Sequence, residues 1–395
     1  MSEGGSPNAI ADLALFAFLP FGIGLFFALR PALAGIWLFL LEFMFLPELT
    51  ELSIPGLPAI NKQAVAGIAC FLGVMLRARG KFFAAKPWRG PDLFFLLGFI
   101  GNFGTSFTNP EVITHGPTIL PALNAHEAFN VSLWDVFYLW MPFVLGRALI
   151  TTGKDLKSLL QALAIAGAIY TPFEFIELML SPQLHLWIYG FHQHDFIQTM
   201  RGGGYRPMVF MPHGLVVGLF MCWAALSGVI LFKAKKAILG LPSFVVAGYD
   251  FGFLVACKSL GAAIYTLVMA PIIWFLRPKG IVRISVSLAA IVLAYPVLRM
   301  TDLFPVKGLV DTARSVAGGD RAQSLEFRFD MEQLLTDHTK DRPVFGWGRF
   351  RRNMVFDEYT GRDISVSDGQ WIGTYSQKGA WGLVCTFGVI LLPIF

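Results

Sequence analysis

Eleven apolar runs dominate this chain, near 10–29, 32–48, 60–76, 92–107, 132–147, 158–179, 207–231, 237–256, 260–276, 282–299 and 371–395. With a mean hydropathy of +0.61 over 395 residues, this is more apolar sequence than one soluble core can bury. A helix needs about 20 apolar residues to cross a bilayer, and in hydrocarbon each backbone N–H and C=O must find a partner within the chain. The expectation is an all-α, polytopic transmembrane bundle of about eleven spans. Pro20 and Pro31 leave the first pair open to a broken or shallow hairpin, and 92–107 is short and Gly-rich. The start, MSEGGSPNAIAD, has no basic region or small-residue cleavage pattern, so a removable signal peptide is not expected. At the other end WGLVCTFGVILLPIF stops inside an apolar run, which reads as an abrupt end or a truncation.

Basic residues orient such a bundle. The segments 77–90, 146–157, 232–237 and 277–283 are rich in Lys and Arg and alternate with loops that are poorer in them, which places these four in the cytoplasm. The segments 109–131, 180–206 and 300–370 then face outward. The last is unlike the rest: it holds 10 Lys/Arg and 12 Asp/Glu, 22 of the chain's 57 charges. The expected organisation is a bundle over 1–299, a large, partly helical extracytoplasmic loop over 300–370 and a final span over 371–395. The net charge of +5 belongs to the loops on one face and gives no reason to invoke nucleic acid. Cys70, Cys222, Cys257 and Cys385 all fall in apolar runs, where they read as small packing residues.

Three constellations could carry chemistry. In the charged insert, 323–335 reads as a helix with Phe327, Met331, Leu334 and Leu335 on one stripe and Arg328 half-buried beside it. Arg328 is then either a snorkelling side chain paired with Glu332 or a guanidinium fork for an anion such as phosphate. The second is MRGGGYRPMVFMPHGL (200–215), where Arg201 and Arg206 flank three glycines ahead of a helix expected after Pro207. Glycines admit a ligand to the backbone and a helix N-terminus favours anions; the plain alternative is an interfacial turn, with His213 a polar group in the helix core. The third is DISVSDGQWIGTYSQKGAWG (363–382), in which Asp368 is either a general base or the cap of the last span. Lys378 with Gly379 and Gly382 reads as a helix-packing site. HQHD (192–195) lacks partners at ligand spacing, and no metal site is expected. GWGRF (346–350) is no nucleotide loop.

Taken in order, GGYRPMVFMPHGL, CKSLGAAIYTLVMAP (257–271), SLEFRFDMEQLL, DRPVFGWGRF and SVSDGQWIGTYSQKGAWG resemble the O-antigen ligase and polymerase family, and bacterial exopolysaccharide polymerases most of all. The resemblance covers roughly 175–395. It implies a fold like that of the GT-C glycosyltransferases in the bacterial cytoplasmic (inner) membrane, with the active site facing the periplasm or exterior. It implies an inverting, metal-independent transferase, without cofactor, that polymerises undecaprenyl-diphosphate-linked oligosaccharide. Flippase and chain-length or export proteins would be its partners. Arg206 and Arg328 become the diphosphate-binding arginines and Asp368 the provisional base; Arg201, His213, Arg342 and Arg349 join as substrate-binding candidates. Ligases of the family commonly have a His-Asn pair where this chain reads Asp368-Gly369, which favours a polymerase. The alternatives are a ligase moving glycan to a lipid or protein and, in another class, a polysaccharide or lipid-linked-oligosaccharide transporter.

Overall fold

The computed structural model describes residues 5–53, 58–87, 89–201 and 203–394. The chain is mostly helical. Its first half carries α1 (Ala9–Ala28), α2 (Pro31–Phe45), α3 (Lys62–Arg77), α4 (Arg79–Ala84), α5 (Asp92–Phe107), α6 (Ala125–Asp135), α7 (Met141–Leu149), α8 (Gly153–Leu180) and α9 (Leu184–Tyr189). The second half adds α10 (Gly214–Lys233), α11 (Ser243–Ala256), α12 (Leu260–Phe275), α13 (Pro278–Met300), α14 (Val306–Ala317), α15 (Gly319–Thr339) and α16 (Gln370–Leu391). Among the described residues, sheet is confined to three two-stranded antiparallel hairpins: β1–β2 (Ile113–His115, Thr118–Leu120), β3–β4 (Met200–Arg201, Gly204–Tyr205) and β5–β6 (Ala237–Ile238, Leu241–Pro242).

Each of the eleven apolar runs contains a helix. Among the described residues, six helical segments are long and apolar enough to cross a membrane: 9–28, 125–149, 153–180, 214–233, 278–300 and 370–394. α2, α5, α11 and α12 are apolar but shorter, at 14 to 16 residues. α1 runs unbroken through Pro20, and Pro31 sits in the first turn of α2, where its missing N–H costs nothing. The helix expected after Pro207 starts only at Gly214, because 206–213 is held in irregular backbone by side chains described below.

The chain forms two compact units. The first comprises 1–87 and 137–281. α8, α10 and α11 close on one another through small residues, as membrane helices do without a hydrophobic drive between them. A Cβ on Gly228 would stand 2.8 Å from that of Ala247, and one on Gly167 would press on Ala224. Tyr170, Phe220 and Met221 fill the centre. One end of this unit collects the basic segments: Arg30 donates to Ser158 Oγ (3.2 Å), Gln161 to the Ala237 carbonyl (2.9 Å), and Lys233 Nζ to the carbonyls of Ile273 (2.7 Å) and Leu276 (2.6 Å). The opposite end is tied by Asn8 N–H to Tyr189 O (3.0 Å), Tyr189 OH to Phe45 O (2.6 Å) and a Lys62–Glu48 ion pair (2.5 Å).

The second unit comprises 88–136 and 282–395. The charged insert 300–370 is thus one body with α5, α6, α13 and α16. α16 is broken at Gly379 (φ 64°, ψ −166°), a conformation open only to glycine. Such a break leaves backbone groups without helical partners, and DRPVFGWGRF supplies them. Trp347 and Gly348 donate to the carbonyls of Ser376 and Gln377 (both 2.9 Å), while Ala380 and Trp381 donate to those of Pro343 (2.9 Å) and Val344 (3.0 Å). Gly346 (φ 67°) lets the loop lie against the 377–379 backbone. The loop is itself anchored by Thr105 Oγ1 to Phe345 O (2.6 Å) and Asn109 Nδ2 to Gly346 O (3.0 Å).

α15 corrects the sequence expectation. It runs well beyond 323–335 at both ends, and its inward face is Ala322, Phe329, Glu332, Leu335, Thr336 and Thr339; Phe327 is half exposed. Arg328 is not half-buried, for its side chain is 63% exposed, and it does not pair with Glu332. The physical reason is Glu332 itself, which is drawn inward by three donors: Tyr295 OH (2.7 Å), Trp371 Nε1 (2.9 Å) and Arg299 Nε (3.3 Å).

Candidate functional site

In the second unit the amino end of α16 meets the middle of α15. The Glu332–Trp371 hydrogen bond fixes their register, one helical turn beyond Arg328 on α15 and three residues beyond Asp368 on the approach to α16. Arg328 Nε and Asp368 Oδ2 are thereby 3.8 Å apart, with side chains 63% and 57% exposed. Asp368 makes no capping hydrogen bond: the residue at the helix N-cap is Gly369. The pair is an accessible cation beside an accessible carboxylate, able to take an anion on one side and a proton on the other.

Arg342 and Arg349 are differently employed. Arg342 bonds Glu111 Oε1 (3.0 Å) and the Thr108 carbonyl and lies over the Trp347 ring (5.2 Å). Arg349 lies over Trp134 (4.8 Å) at the wall of a narrow cleft of about 20 Å³, room for about one water, that also touches Asn102, Glu127, Gln377 and Lys378. The sequence reading passed over Arg352, whose guanidinium is fully buried and bonds the carbonyls of Glu111 and Pro121 (2.8 Å each), Trp347 O (3.3 Å), Asn109 Oδ1 (3.3 Å) and Glu111 Oε1 (2.9 Å). Lys378, read as a packing residue, is ion-paired with Asp135 (2.8 Å), which also accepts from Asn102 (2.8 Å). His338 stacks flat on Trp347 (4.4 Å) and burial pushes its imidazole below the usual histidine range.

In the first unit the segment 206–213 forms a buried, non-helical mouth. Glu177 of α8 accepts from the backbone N–H of Leu184 (3.0 Å), Met208 and Val209 (both 2.8 Å), Tyr170 OH accepts from Phe210 (3.1 Å), and Gln193 donates to the carbonyls of Val209 and Met211. Irregular backbone among spanning helices is tolerated where side chains satisfy it in this way. Arg206 is buried and donates to the Lys258 carbonyl (3.1 Å), tying GGYRPM to CKSLG. The Lys258 ammonium lies against Gly204, so two cations stand on adjacent segments. Lys258 lies in CKSLGAAIYTLVMAP, but nothing in the sequence alone marks it as part of a site. His213 is not inside the helix but caps it, its Nδ1 accepting from Leu215 N (2.9 Å), with the His194 ring edge-on at 4.7 Å. The Arg201 side chain lies outside what the structure describes. Among the described residues, no group of three or more His, Cys, Asp or Glu is placed to hold a metal ion.

Compared with known proteins, the chain matches no family model, no curated protein and no solved structure. Fold and site chemistry alone therefore define the class: a mostly helical protein with helices long and apolar enough to span a membrane, a buried arginine on an irregular segment, and an exposed arginine on α15 with a carboxylate beside it.

Proposed function

We propose that the protein is a membrane glycosyltransferase that polymerises undecaprenyl-diphosphate-linked repeat units into an exopolysaccharide or O-antigen at the outer face of a bacterial cytoplasmic membrane. The observation that supports this best is the exposed Arg328–Asp368 pair at the head of a long apolar helix. A diphosphate taken by Arg328 draws the guanidinium away from Asp368 and leaves that carboxylate beside the reacting sugar. The acceptor hydroxyl gives its proton to Asp368 and its oxygen bonds to the anomeric carbon as the carbon–oxygen bond to the diphosphate breaks. The guanidinium meets the charge that develops on the leaving group. Arg206 and Lys258 are a second cationic candidate for the same donor class. Transfer to a lipid or protein acceptor, the ligase reaction, uses the same chemistry.

A transporter of lipid-linked oligosaccharide is the second reading. The break in α16 beside the Lys378–Asp135 pair favours it, since discontinuous helices with intramembrane charges mark transport paths. Purified protein in lipid, given undecaprenyl-diphosphate-linked repeat units and chelator, separates the two. Longer glycan with released carrier diphosphate is the transferase result; movement of intact donor across the bilayer without lengthening is the transporter result and rejects the first reading.

A further inference from the structure

The first unit contains a second site unrelated to these arginines. Between α2, α7, α8 and α10 runs an apolar slot of about 870 Å³, counting its open mouth, with Gly35, Phe39, Gly146, Leu163 and Trp223 among its walls. It follows α2 from Ala32 to Phe43, about 16 Å at the rise of an α-helix. Trp223, 49% exposed, stands at the side of the bundle, so the slot opens laterally, toward lipid in a membrane.

One charged residue lines it. Glu42 is 5% exposed, and its Oε1 is buried with no hydrogen-bond partner among the described residues. The nearby cation is already engaged: Lys62 Nζ is 2.5 Å from Glu48 and bonds the Leu46 carbonyl at 3.4 Å. A buried carboxyl without a donor is destabilising, and chains keep such groups where something else satisfies them. An apolar wall of helical length ending on an unsatisfied acceptor is complementary to an apolar chain ending on a donor. We propose that this slot binds a long-chain amphiphile with an ammonium head, its chain along α2 and its head on Glu42.

Dicyclohexylcarbodiimide, an apolar carboxyl reagent, applied to the full chain in nanodiscs tests this, with adducts mapped by peptide mass spectrometry. Glu42 should be modified, and dodecylamine should slow that modification roughly tenfold, the worth of a charge-assisted hydrogen bond, whereas dodecane should not. A Cβ on Gly146 would meet nothing within 4 Å, and Gly146 lines the slot, so Gly146→Leu should fold, fill part of the slot and slow the reaction without amine. The proposal is overturned if Glu42 in folded protein stays unmodified, if dodecane protects as well as dodecylamine, or if Gly146→Leu reacts at the wild-type rate.

Discussion

Single residues divide here into those that hold the structure and those free to act on something else, and burial separates them. Arg352 is spent entirely on backbone and side-chain acceptors, whereas Arg328 has one carboxylate at 3.8 Å and open solvent. Exposed pairs of this kind contribute about 0–1 kcal/mol, so Arg328→Lys should leave the melting temperature nearly unchanged. It should nonetheless cut glycan transfer on the order of 100-fold if a bidentate phosphate contact is lost, as a radiolabelled-donor assay would show. Asp368→Asn should bind donor and fail in transfer; a normal elongation rate would remove it as the base. His185 offers a prediction of another kind. Its Nδ1 donates to the Phe191 carbonyl (2.8 Å) while Nε2 accepts from Glu48 N–H (3.2 Å), a pattern only neutral imidazole can make. Burial pushes its pKa down to about 4 from an ordinary 6.5. The unfolded chain therefore binds a proton that the folded one refuses, and stability should fall as pH drops from about 6.5 to about 4, by up to roughly 3 kcal/mol. Melting curves of wild type and His185→Gln across that range check it, since the variant should lose that part of the slope.

Among elements, the apolar runs were legible because hydrocarbon leaves a chain no option but helix. The inward face of α15 was not, because hydrophobicity is a poor guide where a carboxylate is the buried group: Glu332 faces in to meet Tyr295, Arg299 and Trp371, and Phe327 is left outside. The clasp on α16 was equally hidden. GWGRF showed glycines without showing what they approach, and Gly379 looked like a packing glycine when it is the break itself. Lys378, Asp135 and Glu42 did carry a readable signal, each a charge inside an apolar stretch, which by default marks function. The candidate site was legible as residue types only, since the Arg328–Asp368 approach depends on a register set by Glu332 and Trp371. Gly379→Ala should be far more damaging than a helix glycine normally is: the methyl would fall on the Val344 carbonyl in a backbone region closed to alanine. A loss of well over 2 kcal/mol, seen as a collapse of the folded fraction in detergent, is expected, while Gly388→Ala serves as a control at a glycine of ordinary helical conformation in the same helix, where the nearest atoms to be displaced belong to the Phe94 side chain.

At the scale of the whole molecule, a first unit with basic residues such as Arg30 and Lys233 at one end is expected to keep that end in the cytoplasm. A cysteine near Ala234 should resist an impermeant thiol reagent in intact cells, and one near Gly319 should react; the opposite pattern would invert the assignment and put Arg328 in the cytoplasm. The broken last helix also bears on how such a protein is made. Ser376, Gln377, Ala380 and Trp381 have their backbone partners in 343–348, a stretch synthesised earlier and, on this orientation, exported first. An unbroken helix would pair these four groups with one another, Ser376 C=O with Ala380 N–H and Gln377 C=O with Trp381 N–H, whereas the break at Gly379 gives up both bonds and is viable in lipid only with 343–348 in place. The segment can therefore enter lipid as a straight helix, and the break at Gly379 forms together with the docking of the 343–348 loop. In a ribosome-stalled chain ending before Gln370 the Trp347 amide should exchange freely with solvent, and its protection should appear once 370–391 has emerged and Ser376 is there to accept from it.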